Sequence, residues 1–214
     1  MFGAKLKLVD EEELDVEAAD FRVTMTPAPD ATAPEVVAPA SLEWLWPEER
    51  CHIIGVVVHD GARRHERTLP PWPHWGRHAW SRDGERLLIG GAEDALILSR
   101  SDGSWTTFLH DPGADGIEVA WLDGAPVAAG AHQFAVGDAR STANLTSLVR
   151  AVAGGTLLVV ADFDGLRVFA AAAGAPRLLA RSWRTVVAAF DDATGAPHVV
   201  TADGATWSLA VCPT

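Results

Sequence analysis

HAWSRDGERLLIGGAEDALILSR, residues His78 to Arg100, spells out three short strands and the two tight turns between them. Asp83-Gly84 sits between apolar runs, and Asp-Gly in that setting is the strongest local hairpin signal, because glycine accepts the positive φ of primed turns. The pair occurs seven times, beginning at Asp60, Asp83, Asp102, Asp115, Asp123, Asp164 and Asp203. Many short antiparallel strands follow from that number.

The stretch also recurs. Apolar runs precede markers at Asp60, Asp94, His132, Asp164 and Asp203, in IIGVVVHDG, LLIGGAEDA, VAAGAHQ, LLVVADFDG and HVVTADG; the spacings are 34, 38, 32 and 39 residues. Irregular but bounded spacing is the mark of propeller blades with variable loops. An inner segment stands ahead of four runs (HAWSRDG, VAWLDG, VRAVAGG, AAFDDATG), aligning Trp80, Trp121, Ala151 and Phe190. A third strand follows the marker in ALILSR, QFAVGDA, LRVFAAA and ATWSLAV, and an outer strand fits WTTFLH, NLTSLV and PRLLARS. The last unit has no outer strand of its own. Phe21 to Pro27, FRVTMTP, alternates apolar and polar residues and is the natural segment to pair with that final unit.

Trp80, Ser81, Asp83 and Gly84, with Arg82 where proline is usual, resemble the strand-turn-strand core of tryptophan-aspartate-repeat propellers, especially the Trp-Ser-Pro-Asp-Gly variant of Tol-type propellers. The resemblance implies an all-β, small, about five-bladed β-propeller-like fold closed by an N-terminal strand. A β-sandwich or an incomplete propeller is the alternative for the same turns. The expected organisation is an acidic N-terminal segment over 1–40, holding the closing strand 21–27 and a Pro/Ala-rich linker (PAPDATAPEVVAP), followed by the propeller-like domain over 41–214.

Composition narrows the class. Hydrophobic residues make up 48% of the 214, which excludes a disordered chain. Two Lys beside fifteen Arg, with abundant Ala, reads as a GC-rich, bacterial coding bias. The net charge is -12, and residues 1–50 hold twelve acidic against four basic side chains. A nucleic-acid partner is not expected, since duplex binding needs a positive face. The first residues contain no apolar run of signal-peptide length, no later stretch reaches membrane-spanning length, and a cytoplasmic location with no membrane contact is the expectation. Cys51 and Cys212 are expected as buried thiols rather than a disulfide.

The first unit breaks the pattern after its turn: GARRHERTLPPWPHWGRH replaces an apolar strand with arginines and a Pro-Trp cluster. Such a segment belongs at an edge or on the surface. It reads either as a charged edge that blunts aggregation or as a partner-binding surface of Arg63, Arg64, Arg67, Trp72 and Trp75, since Arg beside Trp is hot-spot composition. Catalytic signals are sparse. His74 and His78 have ligand spacing, but Pro73 and Gly76 oppose a helix, and no metal is expected. Neither a phosphate loop nor a nucleophile elbow appears, and no cofactor is expected. Asp162 and Asp164 offer only a partial calcium loop. A glycosidase would need two carboxylates facing the axis, for which Glu118, Asp123, Asp191 and Asp192 are the candidates, Asp123 being better explained as a turn former.

The reading is therefore a non-catalytic protein-protein interaction or scaffold module, a subunit of a bacterial multi-protein complex with protein partners. A carbohydrate or small-ligand binder, or glycosidase-like propeller, is the first alternative. An immunity or inhibitor protein using its acidic N-terminal stretch is the second.

Overall fold

The computed structural model describes residues 12–13, 15–16, 21–35, 37–47, 52–72, 76–142, 146–172 and 175–213. The described elements are all strands. Three lie in the N-terminal segment: β1 (Glu12–Glu13), β2 (Asp15–Val16) and β3 (Phe21–Pro27). The first blade holds β4 (Ser41–Leu45), β5 (Ile53–Asp60) and β6 (Arg63–Trp72). The second holds β7 (Arg77–Trp80), β8 (Arg86–Gly90), β9 (Asp94–Ser99) and β10 (Trp105–His110). The third holds β11 (Glu118–Leu122), β12 (Ala125–Ala129), β13 (Gln133–Val136) and β14 (Ala139–Thr142). The fourth holds β15 (Leu148–Val152), β16 (Leu157–Asp162), β17 (Gly165–Ala172) and β18 (Ala175–Ser182), with β2 at its outer edge. The fifth holds β19 (Val186–Asp191), β20 (Pro197–Thr201) and β21 (Thr206–Pro213), then β3 and β1. The glycine of every Asp-Gly pair has positive φ, from 58° at Gly61 to 134° at Gly116; six of the seven pairs form hairpin turns, and Asp115-Gly116 lies in the connection from β10 to β11.

Strand period 2 explains how the blades stack. In β8, Leu87 and Ile89 pack toward the first blade while Leu88 packs toward the third. Val119 and Trp121 of β11 meet the second blade, and Ala120 and Leu122 meet the fourth. In β16, Leu158 and Val160 turn to the third blade, and Leu157, Val159 and Ala161 to the fifth. Each central strand is buried on both faces, which is why these runs are continuously apolar in sequence.

The closing strand lies where the alternation of FRVTMTP placed it. β3 pairs antiparallel with β21 in unbroken register, from Trp207 opposite Pro27 to Pro213 opposite Phe21. Val23 and Met25 point into the core shared with the fourth blade and are wholly buried.

The structure corrects the sequence reading in three places. The first unit is out of phase: Asp60 was aligned with the turn after each second strand, but it ends a third strand. Asp60 pairs with Arg100 in the β9–β10 turn, His65 lies against Gly103 of that turn, and Pro39 lies against Gly84 in the β7–β8 turn. With antiparallel pairing, these contacts make β4, β5 and β6 counterparts of β8, β9 and β10. The innermost strand of the blade is the one without a counterpart among the described residues. In its place the linker runs from Ala28, bonded to Thr206 O, across to Pro39 on the opposite face of the ring. Prolines at 27, 29, 34 and 39 deprive that stretch of the N–H groups a ladder needs. The outer strand of the third blade is also misplaced, because the hairpin turns at Gly137, so Ala139–Thr142 forms the strand and Leu148 begins the next blade. Finally, Cys212 is free and exposed rather than buried; Cys51 lies outside the described residues.

The closing strand makes a direct prediction. Met25→Ala is expected to cost about 2–5 kcal/mol in urea unfolding, the usual loss for a fully buried Met, whereas Thr26→Ala on the opposite face costs under about 0.5 kcal/mol.

Candidate functional site

The inner strands β7, β11, β15 and β19 run parallel to one another around the axis, so the ring has two distinct faces. One face, here the upper, carries the turn between the second and third strands of each four-stranded blade and the connections to the next blade. The lower face carries the other turns. Asp123 N–H bonds to Gly155 O and Arg86 Nη2 to Gly124 O, joining neighbouring lower turns at 2.7 and 2.9 Å.

At the upper end of the axis, three inner strands bring Arg77, Glu118 and Arg150 together. Arg77 Nε donates to Glu118 Oε1 at 2.6 Å and Arg150 Nη1 to Oε2 at 3.0 Å. Both carboxylate oxygens are therefore occupied. A cavity of about 240 Å³ lies beside them, walled by Asp115, Ile117 and Thr146 as well as Arg77 and Glu118. His78, the next residue of β7, is held below the ordinary imidazole pKa, first by its enclosure in protein and then by the charge of Arg150.

The other candidate carboxylates stand elsewhere. Asp191 ends β19, at the lower end of the axis, where it accepts the N–H groups of Ala153 and Gly154 at 2.5 and 2.8 Å. Glu118 begins its strand at the upper end. An inner strand of five residues separates two such levels, about 13 Å for four steps at about 3.3 Å each. Glycosidase pairs stand about 5 to 9.5 Å apart. Asp123 adopts φ 47° as a turn former, and Asp192 caps its turn by accepting from Thr194 and Ala196. The Asp162–Gly165 turn is equally committed: Asp162 is ion-paired with Arg167 and accepts the Asp164 N–H. Among the described residues no group of three metal-binding side chains is assembled. His74 lies outside the described residues.

The arginine-rich segment is the outer strand β6, ten residues long. Arg63, Arg64 and Arg67 are exposed, and Arg64 pairs with Glu66. Among the described residues, Arg63 and Trp72 stand at opposite ends of this strand. Trp72 ends the strand opposite Ile53, nine steps and about 30 Å from Arg63. Trp75 lies outside the described residues.

A different aromatic pair is presented to solvent. Phe163, at the β16–β17 turn, is 80% exposed, and Trp183, in the β18–β19 connection, is 81% exposed. Both belong to the upper face, and Gly165 holds their loops together: a Cβ there would stand 2.2 Å from Ser182 O. Arg184 lies 5.7 Å from the Trp183 ring and 4.5 Å from that of Trp207, and Val187 beside them is 56% exposed. The sequence reading missed this patch because Phe163 was read only as part of a calcium loop. The available signal was a large aromatic at the tip of an Asp-x-Asp-Gly turn, where a core residue cannot be.

A streptogramin B lyase structure superposes on this chain with a TM-score of 0.52 at 9% identity, covering 91% of this chain and 73% of the lyase. The chain is a β-propeller. Weaker likenesses are to a chain of a mitotic checkpoint complex (TM-score 0.48, 10% identity, 90% of this chain and 87% of that one) and to TolB from Acinetobacter baumannii (0.39, 13%, 95% and 63%). No protein-family model matches the sequence, and no curated protein matches it.

The lower face yields a pH prediction. Asp192 is held well below the usual carboxylate range, chiefly by the Thr194 hydroxyl and then by His198. A lowered folded-state pKa gives stability that is present above the unfolded value, about 4, and lost as pH falls through the folded value. The urea midpoint gap between the parent protein and Asp192→Asn is therefore expected to hold above about pH 5 and to shrink steadily below about pH 4.

Proposed function

We propose that this protein is a non-catalytic interaction module, a subunit of a bacterial, cytoplasmic multi-protein complex that engages a protein partner through its upper face. The observation that carries this reading is the Phe163–Trp183 patch. Two large aromatic side chains, each about four-fifths in solvent, stand on two loops whose backbones approach at Gly165, with Arg184 beside Trp183. Trp and Arg dominate binding hot spots, and a preordered patch loses little entropy on docking.

The polar chemistry supports the same reading from the other side. Glu118 and Asp162 pair with arginines, Asp191 accepts backbone N–H groups, Asp192 accepts from Thr194, Ala196 and His198, and the pair best placed for glycoside chemistry stands at opposite ends of the axis. A propeller frame shared with a lyase does not itself decide chemistry, since function belongs to sites grafted on folds. The acidic N-terminal residues Glu12–Glu13 and Asp15–Val16 lie in ladders with β3 and β18, which argues against a free toxin-masking arm.

Trp183→Ser and Phe163→Ser, made in the full chain, are expected to leave the thermal midpoint within about 2 °C, as surface substitutions do, while removing the partner that co-purifies stoichiometrically with the parent protein. A co-purifying partner retained by both variants would overturn the assignment of this face.

A further inference from the structure

The outer edge of β6 poses a separate question. β6 pairs with β5 through a two-residue loop, Gly61-Ala62, closed by Asp60 opposite Arg63. In such a hairpin the closing pair exchanges both hydrogen bonds and the pairs alternate beyond it. Arg63, His65 and Arg67 therefore bond inward to β5, and Arg64, Glu66 and Thr68 aim their N–H and C=O groups outward. Those three residues are exposed, and among the described residues β5 is the only strand paired with β6.

The same chain treats two other outer edges differently. β18, which carries Arg177 and Arg181, is extended by β2, with Asp15 opposite Arg181 and Val16 opposite Ala180. β3 is extended by β1, with Glu12 opposite Met25 and Glu13 opposite Thr24. Acidic segments are thus already laid on blade edges as added strands. Of the remaining outer strands, β10 has no Lys or Arg and β14 is only four residues long. β6 is long and arginine-bearing: Arg63, Arg64 and Arg67 against Glu66 give a local charge of +2 on a chain whose net charge is -12.

We propose that β6 binds an extended acidic segment of a partner protein by strand addition, its backbone joining Arg64, Glu66 and Thr68 and its carboxylates lying along the arginines. Backbone bonding supplies affinity and alternate side chains supply selection. A second copy of this chain is a poor occupant, because it would bring a strand of the same positive local charge, and Glu66 opposite its own copy, rather than acidic residues. The inference rests on the interaction reading above but uses a different surface, so the two fail separately.

The probe is a synthetic peptide of alternating Glu and Val, about eight residues long to match a typical strand. It is titrated into the full-length protein by fluorescence anisotropy, with amide exchange read at residues 64, 66 and 68. Saturable binding with slowed exchange at those amides is expected. Glu66→Pro, which removes an outward N–H while sparing the β5 ladder, and the pair Arg64→Glu with Arg67→Glu should each weaken binding at least about tenfold at unchanged thermal midpoint. The peptide N-methylated at alternate residues should not bind. Equal binding of the methylated peptide, equal competition by a single-stranded oligonucleotide, or dimerisation that Glu66→Pro abolishes would each overturn strand addition by an acidic partner. So would absence of binding. If Trp183→Ser still removes the co-purifying partner in that case, the interaction reading stands and only the β6 assignment falls.

Discussion

Everything in this structure depends on the seven-residue ladder between β3 and β21, where the two ends of the described chain share one sheet. Without β3 the fifth blade would be a three-stranded sheet with an open edge, and Val23 and Met25 would be missing from the core it shares with the fourth blade. The ladder, continued by the Ala28 N–H on Thr206 O, ties the last blade to the segment that leads into the first. Sealing the seam by hydrogen bonds and burial makes the rest rigid enough to hold turns in fixed positions.

With the ring sealed, the buried and half-buried acids act as clamps between blades. Asp111, almost fully buried, accepts the N–H groups of His132 and Gln133 across the join between second and third blades. Asp191 does the same for the fourth and fifth, and Asp60 binds Arg100 through two hydrogen bonds between the first and second. A buried carboxylate is tolerable only when its oxygens are paired, and each of these is paired across a join between blades. At the periphery lie the exposed aromatic turns and the charged outer strand.

The inner three strands of the blades from the second onward are legible in the residues; the outer strand of the third is not. Asp-Gly turns need positive φ, and central strands buried on both faces need unbroken apolar runs, so turn and strand positions were written locally at Leu87–Ile89, Val127–Ala129 and Leu157–Ala161. The first blade was not legible. IIGVVVHDG looks like a second strand because a second and a third strand have the same local requirements, and only contacts of Asp60 and His65 with the neighbouring blade give its direction. The site was less legible still: Arg63, Arg64 and Arg67 are exposed but spread along an extended strand, whereas the loops that carry Phe163 and Trp183 come together only through the close backbone approach at Gly165.

The sequence by itself determined the number of sheets, the Asp-Gly turns, and the alternating segment that closes the ring, because turn geometry and side-chain period are local properties of the residues. Tertiary structure alone decided that Glu118 and Asp191 stand at opposite ends of the axis, and that aromatic residues from separate turns share one face. Those relations depend on strand direction and on packing between blades, which no local preference of the residues encodes.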